Sequence, residues 1–272
     1  MNLYFSNVIG EPVYSYVPVI SFAVNEYLAK IEGSFGKIFP TLPGGIQPRF
    51  SRTFVRCINL SGTIPGELFS GISGAPVAGM FYETFSGSEG LTGAIPEKLF
   101  AGISGAPATG MFAETFFECL GLTGAIPEKL FAGISGAPAE FMFYETFAGC
   151  GGLTGAMPEK LFSGISGAPA PYMFYGTFAG CTGLTAIPEK LFAGISGAPA
   201  VGMFAGTFSD CPGLTGPSAR TPDGIPLYQA FPTANYDNAS DMYLNDENLS
   251  DYCEIPKSWS GGAGSYNCRD KN

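Results

Sequence analysis

The side chains in this sequence that could do chemistry are cysteines, carboxylates and tyrosines, and their spacing limits what that chemistry is. Cys57, Cys119, Cys150, Cys181 and Cys211 occupy one position of a 31-residue pattern, with Ser88 at the same position in one copy. A nucleophilic thiolate needs a base, most often an imidazole, and the chain contains no histidine. The same absence removes Ser-His-Asp triads, Cys-His pairs and histidine metal sites. The five cysteines therefore read as a column of buried, unreactive thiols that pack as small apolar groups. Neighbouring copies about 5 Å apart fall within disulfide range, but side chains that all point the same way do not cross-link. Nor does a linear column surround a metal ion. Cys253 and Cys268 lie off the column, and two readings stand: a disulfide that ties down the tail in an oxidising compartment, or two free thiols.

The carboxylates also form columns, Glu83, Glu114 and Glu145 in one and Glu97, Glu128, Glu159 and Glu189 in another. Acid–base catalysis needs two carboxyl groups in unlike environments, and repetition makes environments alike. No catalytic residue, metal site or cofactor is expected. Residues 237–247, DNASDMYLNDE, are dense in hard oxygen ligands that suit calcium, but they lack the spacing and the sixth-position glycine of an EF-hand and read as a solvated acidic loop. Asn59, Asn238 and Asn248 open Asn-x-Ser triplets, which matter only in a glycosylating host. Tyr82, Phe141, Tyr144, Tyr172 and Tyr175 fall where the copies differ most, and exposed aromatics at such places are the candidate ligand-binding residues. The alternative places each tyrosine between copies with only its hydroxyl in water.

The element that must position these side chains is the repeat itself. Copies start at Leu60, Leu91, Leu122, Leu153 and Leu184, with a sixth start at Leu214 that soon departs. A period of this size signals stacked coils, each burying the apolar face that its neighbour leaves open. Within 122–152, Leu122-Thr123-Gly124-Ala125-Ile126 alternates as a short strand does, placing Leu122 and Ile126 on one side. Pro127 ends it and suits the first position of a short helix in which Leu130 and Ile134 face inward while Glu128 and Lys129 stay wet. Pro138 opens a second predicted helix that brings Phe143, Phe147 and Cys150 to one face at i, i+4 and i+7. Stacked copies then align Phe85, Phe116, Phe147, Phe178 and Phe208 in one core column and Leu91, Leu122, Leu153 and Leu184 in another. On the outer side of the strand Thr92, Thr123, Thr154 and Thr185 make a plain ladder, the sort of array that an ordered lattice such as ice could match and that more often is simply solvated.

The run Thr-Phe-x-x-Cys-x-x-Leu-Thr-x-x-Ile-Pro, present at 146–158 with Met157 in the Ile place, resembles the leucine-rich repeat of BspA-like bacterial surface proteins. The likeness spans roughly 50–213, with a Gly-Ile-Ser-Gly-Ala-Pro insert that lengthens the unit beyond the usual range of about 20–29 residues. It implies an α/β repeat, a right-handed leucine-rich-repeat solenoid with one short parallel strand and short helical segments per 31-residue coil. It also implies an extracellular or cell-surface location and an adhesion or recognition role.

Both ends read as degenerate caps of a single domain. Residues 1–30 are a cap segment, 31–213 the repeat array, and 214–272 a modified coil and cap in which Ile255-Pro256-Lys257-Ser258-Trp259 resembles Ile126-Pro127-Glu128-Lys129-Leu130. In 37–40, Lys37-Ile38-Phe39-Pro40 stands where a strand ending in proline belongs, and 17–24 reads as a buried capping strand or helix. The first 29 residues lack the basic start of a signal peptide, with Glu11 and Pro18 interrupting the apolar stretch, and no run of about 18 apolar residues marks a membrane span. A formal net charge of −10 argues against nucleic acid, whose phosphates require a basic footprint. The expected partners are a protein or glycan on a cell surface, or further copies of the chain. The functional expectation is a non-catalytic extracellular adhesion or recognition scaffold, and the alternative is a structural subunit that self-assembles into a filament, appendage or viral particle.

Overall fold

The computed structural model describes residues 20–37, 47–265 and 268. Readings that fall on 1–19 or 38–46, including most of the leader question and the proposed strand around Ile38, lie outside the described residues.

Successive repeats lie on one another as layers joined by two rows of parallel pairing. In the first row Gly62 pairs with Leu91, Gly93 with Leu122 and Gly124 with Leu153, and the row widens into a two-stranded parallel sheet of β1 (Gly155–Ala156) and β2 (Leu184–Ala186). In the second row Gly74 pairs with Ile103, Gly105 with Ile134 and Gly136 with Ile165. Two-residue contacts suffice because each chain crosses the row only briefly before it turns. Leu122, Ile126, Leu130 and Ile134 are all buried, while Thr123, Ala125, Glu128 and Lys129 are exposed.

The two segments expected to be short helices are ribbons of consecutive turns. In 139–150 every second amide donates back three residues, Tyr144 to Phe141 at 3.2 Å and Thr146 to Phe143 at 3.3 Å, and the amides between them donate forward to the next layer. Phe143 reaches Met173 at 3.0 Å, Glu145 reaches Tyr175 at 2.7 Å and Phe147 reaches Thr177 at 2.9 Å. An α-helix would spend its amides within itself and leave the layers joined by side chains alone. Here the backbone does both jobs, and no buried amide is stranded. The ribbon needs a left-handed residue every fourth position, supplied by Phe141, Glu145 and Gly149 with φ of 55°, 45° and 76°. A period of four keeps Phe143 and Phe147 on one inward line just as a period of 3.6 would, so the helical reading picked the correct face with the wrong backbone.

Three phenylalanine columns fill the core. Phe112 stacks on Phe143 at 5.7 Å, Phe116 on Phe147 at 5.6 Å and Phe100 on Phe131 at 6.1 Å, all nearly parallel, and Phe131 interleaves against Phe112 at 4.5 Å. Two glycines per layer set the spacing. A Cβ on Gly133 would collide with the Ile103 carbonyl, and one on Gly152 with the Leu122 carbonyl.

Layer 237–249 continues the stack with altered residues. Phe204 donates to Asn238 at 3.0 Å and Phe208 to Met242 at 3.0 Å, and Tyr243 stacks on Phe208 at 5.9 Å. The expectation of a solvated acidic loop at 237–247 is therefore corrected. Its Met242, Tyr243 and Asp246 are buried because the segment is the next ribbon over 202–210, opened by helix α1 (Leu227–Ala230) and helix α2 (Tyr236–Ala239). Ile255 and Trp259 close the end, with the Trp259 amide bonded to Pro256 at 2.9 Å as Leu130 is to Pro127 at 3.2 Å. At the other end Phe22 and Val24 donate to Thr53 and Val55, but Val24 is 62% exposed, so the described part of 17–24 is neither helix nor strand and is not wholly buried. Among the described residues no helix is long and apolar enough to cross a membrane.

Candidate functional site

The ribbon turns outward its left-handed residue at the Phe141 position and the residue three later at the Tyr144 position, and these are positions where the layers differ. In two consecutive layers both are aromatic. Phe141 stacks on Tyr172 at 5.0 Å and 7°, Tyr144 on Tyr175 at 4.8 Å and 6°, and the pairs touch each other at 5.8 Å and 6.1 Å. The structure thus gathers four of the five candidate residues into one block two layers thick, with Phe141 the most exposed at 36%. Tyr82 stands apart, because the layer between holds Gly110 and Ala113. Within the block the inner ring faces are spent on one another. The outer face of Tyr172 lies on Gly202, where any Cβ would strike the ring.

Beside the tyrosines runs the first carboxylate column, since a glutamate follows the aromatic position in Tyr82-Glu83, Ala113-Glu114 and Tyr144-Glu145. That adjacency is visible in sequence, but its consequence appears only when layers are superposed. Burial, then the charges of Glu83 and Glu145 in the layers on either side, push the Glu114 carboxyl up to about 7. Burial and Glu118 raise Glu145 as well. Burial and then Glu145 raise the Tyr144 hydroxyl to about 12. Arg52 pairs with Glu83 at 3.0 Å, and among the described residues no cation lies within 4.0 Å of Glu114 or Glu145.

Cys57, Cys119, Cys150, Cys181 and Cys211 are free and buried. Each thiol points at the backbone of the layer behind it: Cys119 Sγ lies 3.1 Å from the Phe85 oxygen, Cys150 Sγ 2.9 Å from Phe116 and Cys181 Sγ 3.1 Å from Phe147. Ser88 makes the same bond to Phe54 at 2.6 Å, which explains how serine substitutes there. Burial pushes the Cys150 thiol up to about 12, far from a reactive thiolate. A second donor column went unread in the sequence. Thr84, Thr115, Thr146 and Thr177 are fully buried, and the Thr115 hydroxyl lies 2.9 Å from the Phe81 oxygen. Its signal was the invariant Thr before each core Phe. Cys253 and Cys268 form a disulfide that holds the tail against the 252–254 turn.

The three asparagines of the Asn-x-Ser triplets use their amide nitrogens on neighbouring backbone, Asn59 on Glu26 at 2.7 Å, Asn238 on Ala200 at 2.9 Å and Asn248 on Pro212 at 2.8 Å. Among the described residues no three histidine, cysteine or acidic side chains are grouped to hold a metal ion. Thr92, Thr123, Thr154 and Thr185 are exposed along the first pairing row. Comparison with protein-family models, curated proteins and solved structures finds no match to this chain.

Proposed function

We propose that the chain is a right-handed leucine-rich-repeat solenoid of the BspA-like kind, acting outside the cell as a non-catalytic adhesion or recognition scaffold for a protein or glycan ligand. The observation that carries this reading is the block of Phe141, Tyr144, Tyr172 and Tyr175, a cluster of aromatic edges and hydroxyls on a flank whose other repeat layers present Gly at the first position and Ala113, Ala205 or a single Tyr82 at the second. Aromatic side chains with one apolar body and one wet tip are the usual anchors of recognition surfaces. The Cys253–Cys268 disulfide supports an oxidising compartment, and the buried thiols coexist with it because nothing reaches them.

The rival reading, a structural subunit that self-assembles into a filament, appendage or viral particle, has the closed C-terminal end against it where the assembly is end to end. There the Tyr243 amide is taken by the Trp259 oxygen at 3.2 Å and the Asp241 amide by the Ser260 hydroxyl at 3.0 Å, so two of the donors that would join another layer are spent. The test is a variant with Phe141, Tyr144 and Tyr175 all changed to Ala. It should remain folded and monomeric and lose attachment to cells or immobilised glycans. Full attachment by that variant, or filaments of the parent protein in electron micrographs, would sink the recognition reading.

A further inference from the structure

Among the described residues, tyrosine rings meet one another in two places, both inside the flank block. Tyr144 stacks on Tyr175 of the next layer at 4.8 Å and 6°, and Tyr172 meets Tyr175 of its own layer at 6.1 Å and 61°. Backbone sets the first pair. The Tyr144 amide donates to Phe141 at 3.2 Å and the Tyr175 amide to Tyr172 at 3.3 Å, the same turn in both layers, and the Glu145 amide donates to the Tyr175 oxygen at 2.7 Å, which fixes the step between them. Phe141, 5.8 Å from Tyr144, and Tyr172 beside Tyr175 wall the stack along one side.

Two phenols held this way have a chemistry that neither has alone. Loss of one electron and one proton turns a phenol into a phenoxyl radical, whose unpaired electron is shared with the ring carbons ortho to the oxygen. Two such radicals join through those carbons. Near-parallel rings that leave the same turn in adjacent layers bring each ortho carbon close to its counterpart, whereas Tyr172 meets Tyr175 edge to face. Holding the pair in this arrangement replaces a chance encounter by a first-order step. Both tyrosines are partly exposed, so an oxidant reaches them and the bonding edges can close while the free edges open toward solvent.

We propose that Tyr144 and Tyr175 form an oxidative cross-linking site, at which a peroxide-driven one-electron oxidant joins the two rings as dityrosine and stitches coil 122–152 to coil 153–183. In the balanced step each tyrosine gives up the hydrogen atom of its hydroxyl, a carbon–carbon bond forms between two ortho carbons, and the two ortho hydrogens move to the oxygens and restore the phenols. Hydrogen peroxide, acting through a haem peroxidase, takes up the two electrons and two protons and leaves as two waters. The Cys253–Cys268 disulfide is likewise the product of a two-electron oxidation and suits the same kind of compartment. Since each layer is held chiefly by its neighbours, a covalent step within the stack opposes separation of the layers it joins. The site does not depend on which ligand the block binds.

The test is oxidation of the dilute, intact protein by hydrogen peroxide and a haem peroxidase, then unfolding, thiol reduction, alkylation and digestion after lysine. Reduction matters because a Cys150–Cys181 disulfide would join the same fragments. Cleavage at Lys129, Lys160 and Lys190 leaves Tyr144 in fragment 130–160 and Tyr175 in fragment 161–190. Mass spectrometry of the monomeric product should find these two fragments joined with loss of two hydrogens, together with the blue fluorescence of dityrosine. Tyr144→Phe and Tyr175→Phe each keep a ring in the stack and should lower the yield about tenfold or more, whereas Tyr172→Phe should retain it. Thermal melts check that all three are folded. Tyr27 and Tyr236, 95% and 60% exposed and without a tyrosine contact among the described residues, should couple only between molecules, as dimers. In the cross-linked monomer, hydrogen exchange across 122–183 should slow. Absence of the joined fragments from the folded monomer, undiminished yield from Tyr144→Phe, or a yield that falls with Tyr172→Phe instead would overturn the proposal, and unchanged exchange in the joined product would remove the stitching role.

Discussion

At the cysteine position the side chain serves as a hydrogen-bond donor to the layer behind it. Cys150→Ser should therefore fold with nearly the parent melting temperature, as Ser88 shows in its own layer, while Cys150→Ala should cost about 1 kcal/mol in denaturant melts for the lost bond to Phe116. The same position in the last layer is Asp246, fully buried, with one oxygen accepting the Cys211 amide at 2.9 Å and the other without a partner. Burial, then the charge of nearby Asp210, raises the carboxyl to about 8, so the folded chain favours its protonated form. The sign follows from linkage. The folded state holds this proton more tightly than the unfolded chain, so the contribution is full below about pH 4 and is lost as pH rises through about 8. Glu114 and Glu145 shift the same way. Stability should accordingly increase as pH falls from 8 toward 5, and Asp246→Asn, which keeps an acceptor and supplies a permanent donor, should stabilise the protein at pH 8 and flatten that profile. A melting temperature that drops on acidification over this range, or an Asn variant less stable than the parent at pH 8, would falsify the assignment.

At the scale of the element, the turn ribbon and the pairing rows ask different things of glycine. Gly155 has a φ of 84° and open space around it, so Gly155→Ala should cost only the strain of a left-handed alanine, about 1 kcal/mol. Gly133 has no such φ but faces the Ile103 carbonyl, which belongs to backbone and cannot give way. Gly133→Ala must push two layers apart and should cost about 3 kcal/mol, the upper range for overpacking. Chemical denaturation of the pair distinguishes them, and equal losses would mean that layer spacing is not set by this contact.

Across the molecule, each layer is held chiefly by the two beside it, as stacked repeats are. Phe147 touches Phe116 and Phe178 in the adjoining layers at 5.6 Å each, together with Phe131 of the third column. Phe147→Ala should cost about 3–5 kcal/mol. Hydrogen exchange should show the loss first in the layers around 116–178 and last at the closed end near Trp259. Tyr144→Ala, half-exposed, should cost much less. A uniform rise in exchange along the whole chain would mean that the stack unfolds as one unit rather than layer by layer.

The repeat alone determined the inward lines Leu122, Ile126, Leu130 and Phe143, Phe147, Cys150, because burial depends on which positions recur and both a helix and a period-four ribbon place those positions together. It could not distinguish the two backbones. The ribbon's energy lies in amides donated to the next layer, a partner about 30 residues away that leaves no local periodicity. For the same reason the invariant Thr before each core Phe did not by itself show that Thr115 donates to the layer behind it, nor that Asp246 belongs to the cysteine column, although Tyr243 and Leu249 beside it keep the apolar pattern. The five aromatic candidates were legible one at a time. Only stacking decided that four of them form a block, that Tyr82 stands apart from it, and that Glu114 feels the charges of Glu83 and Glu145 in the layers on either side.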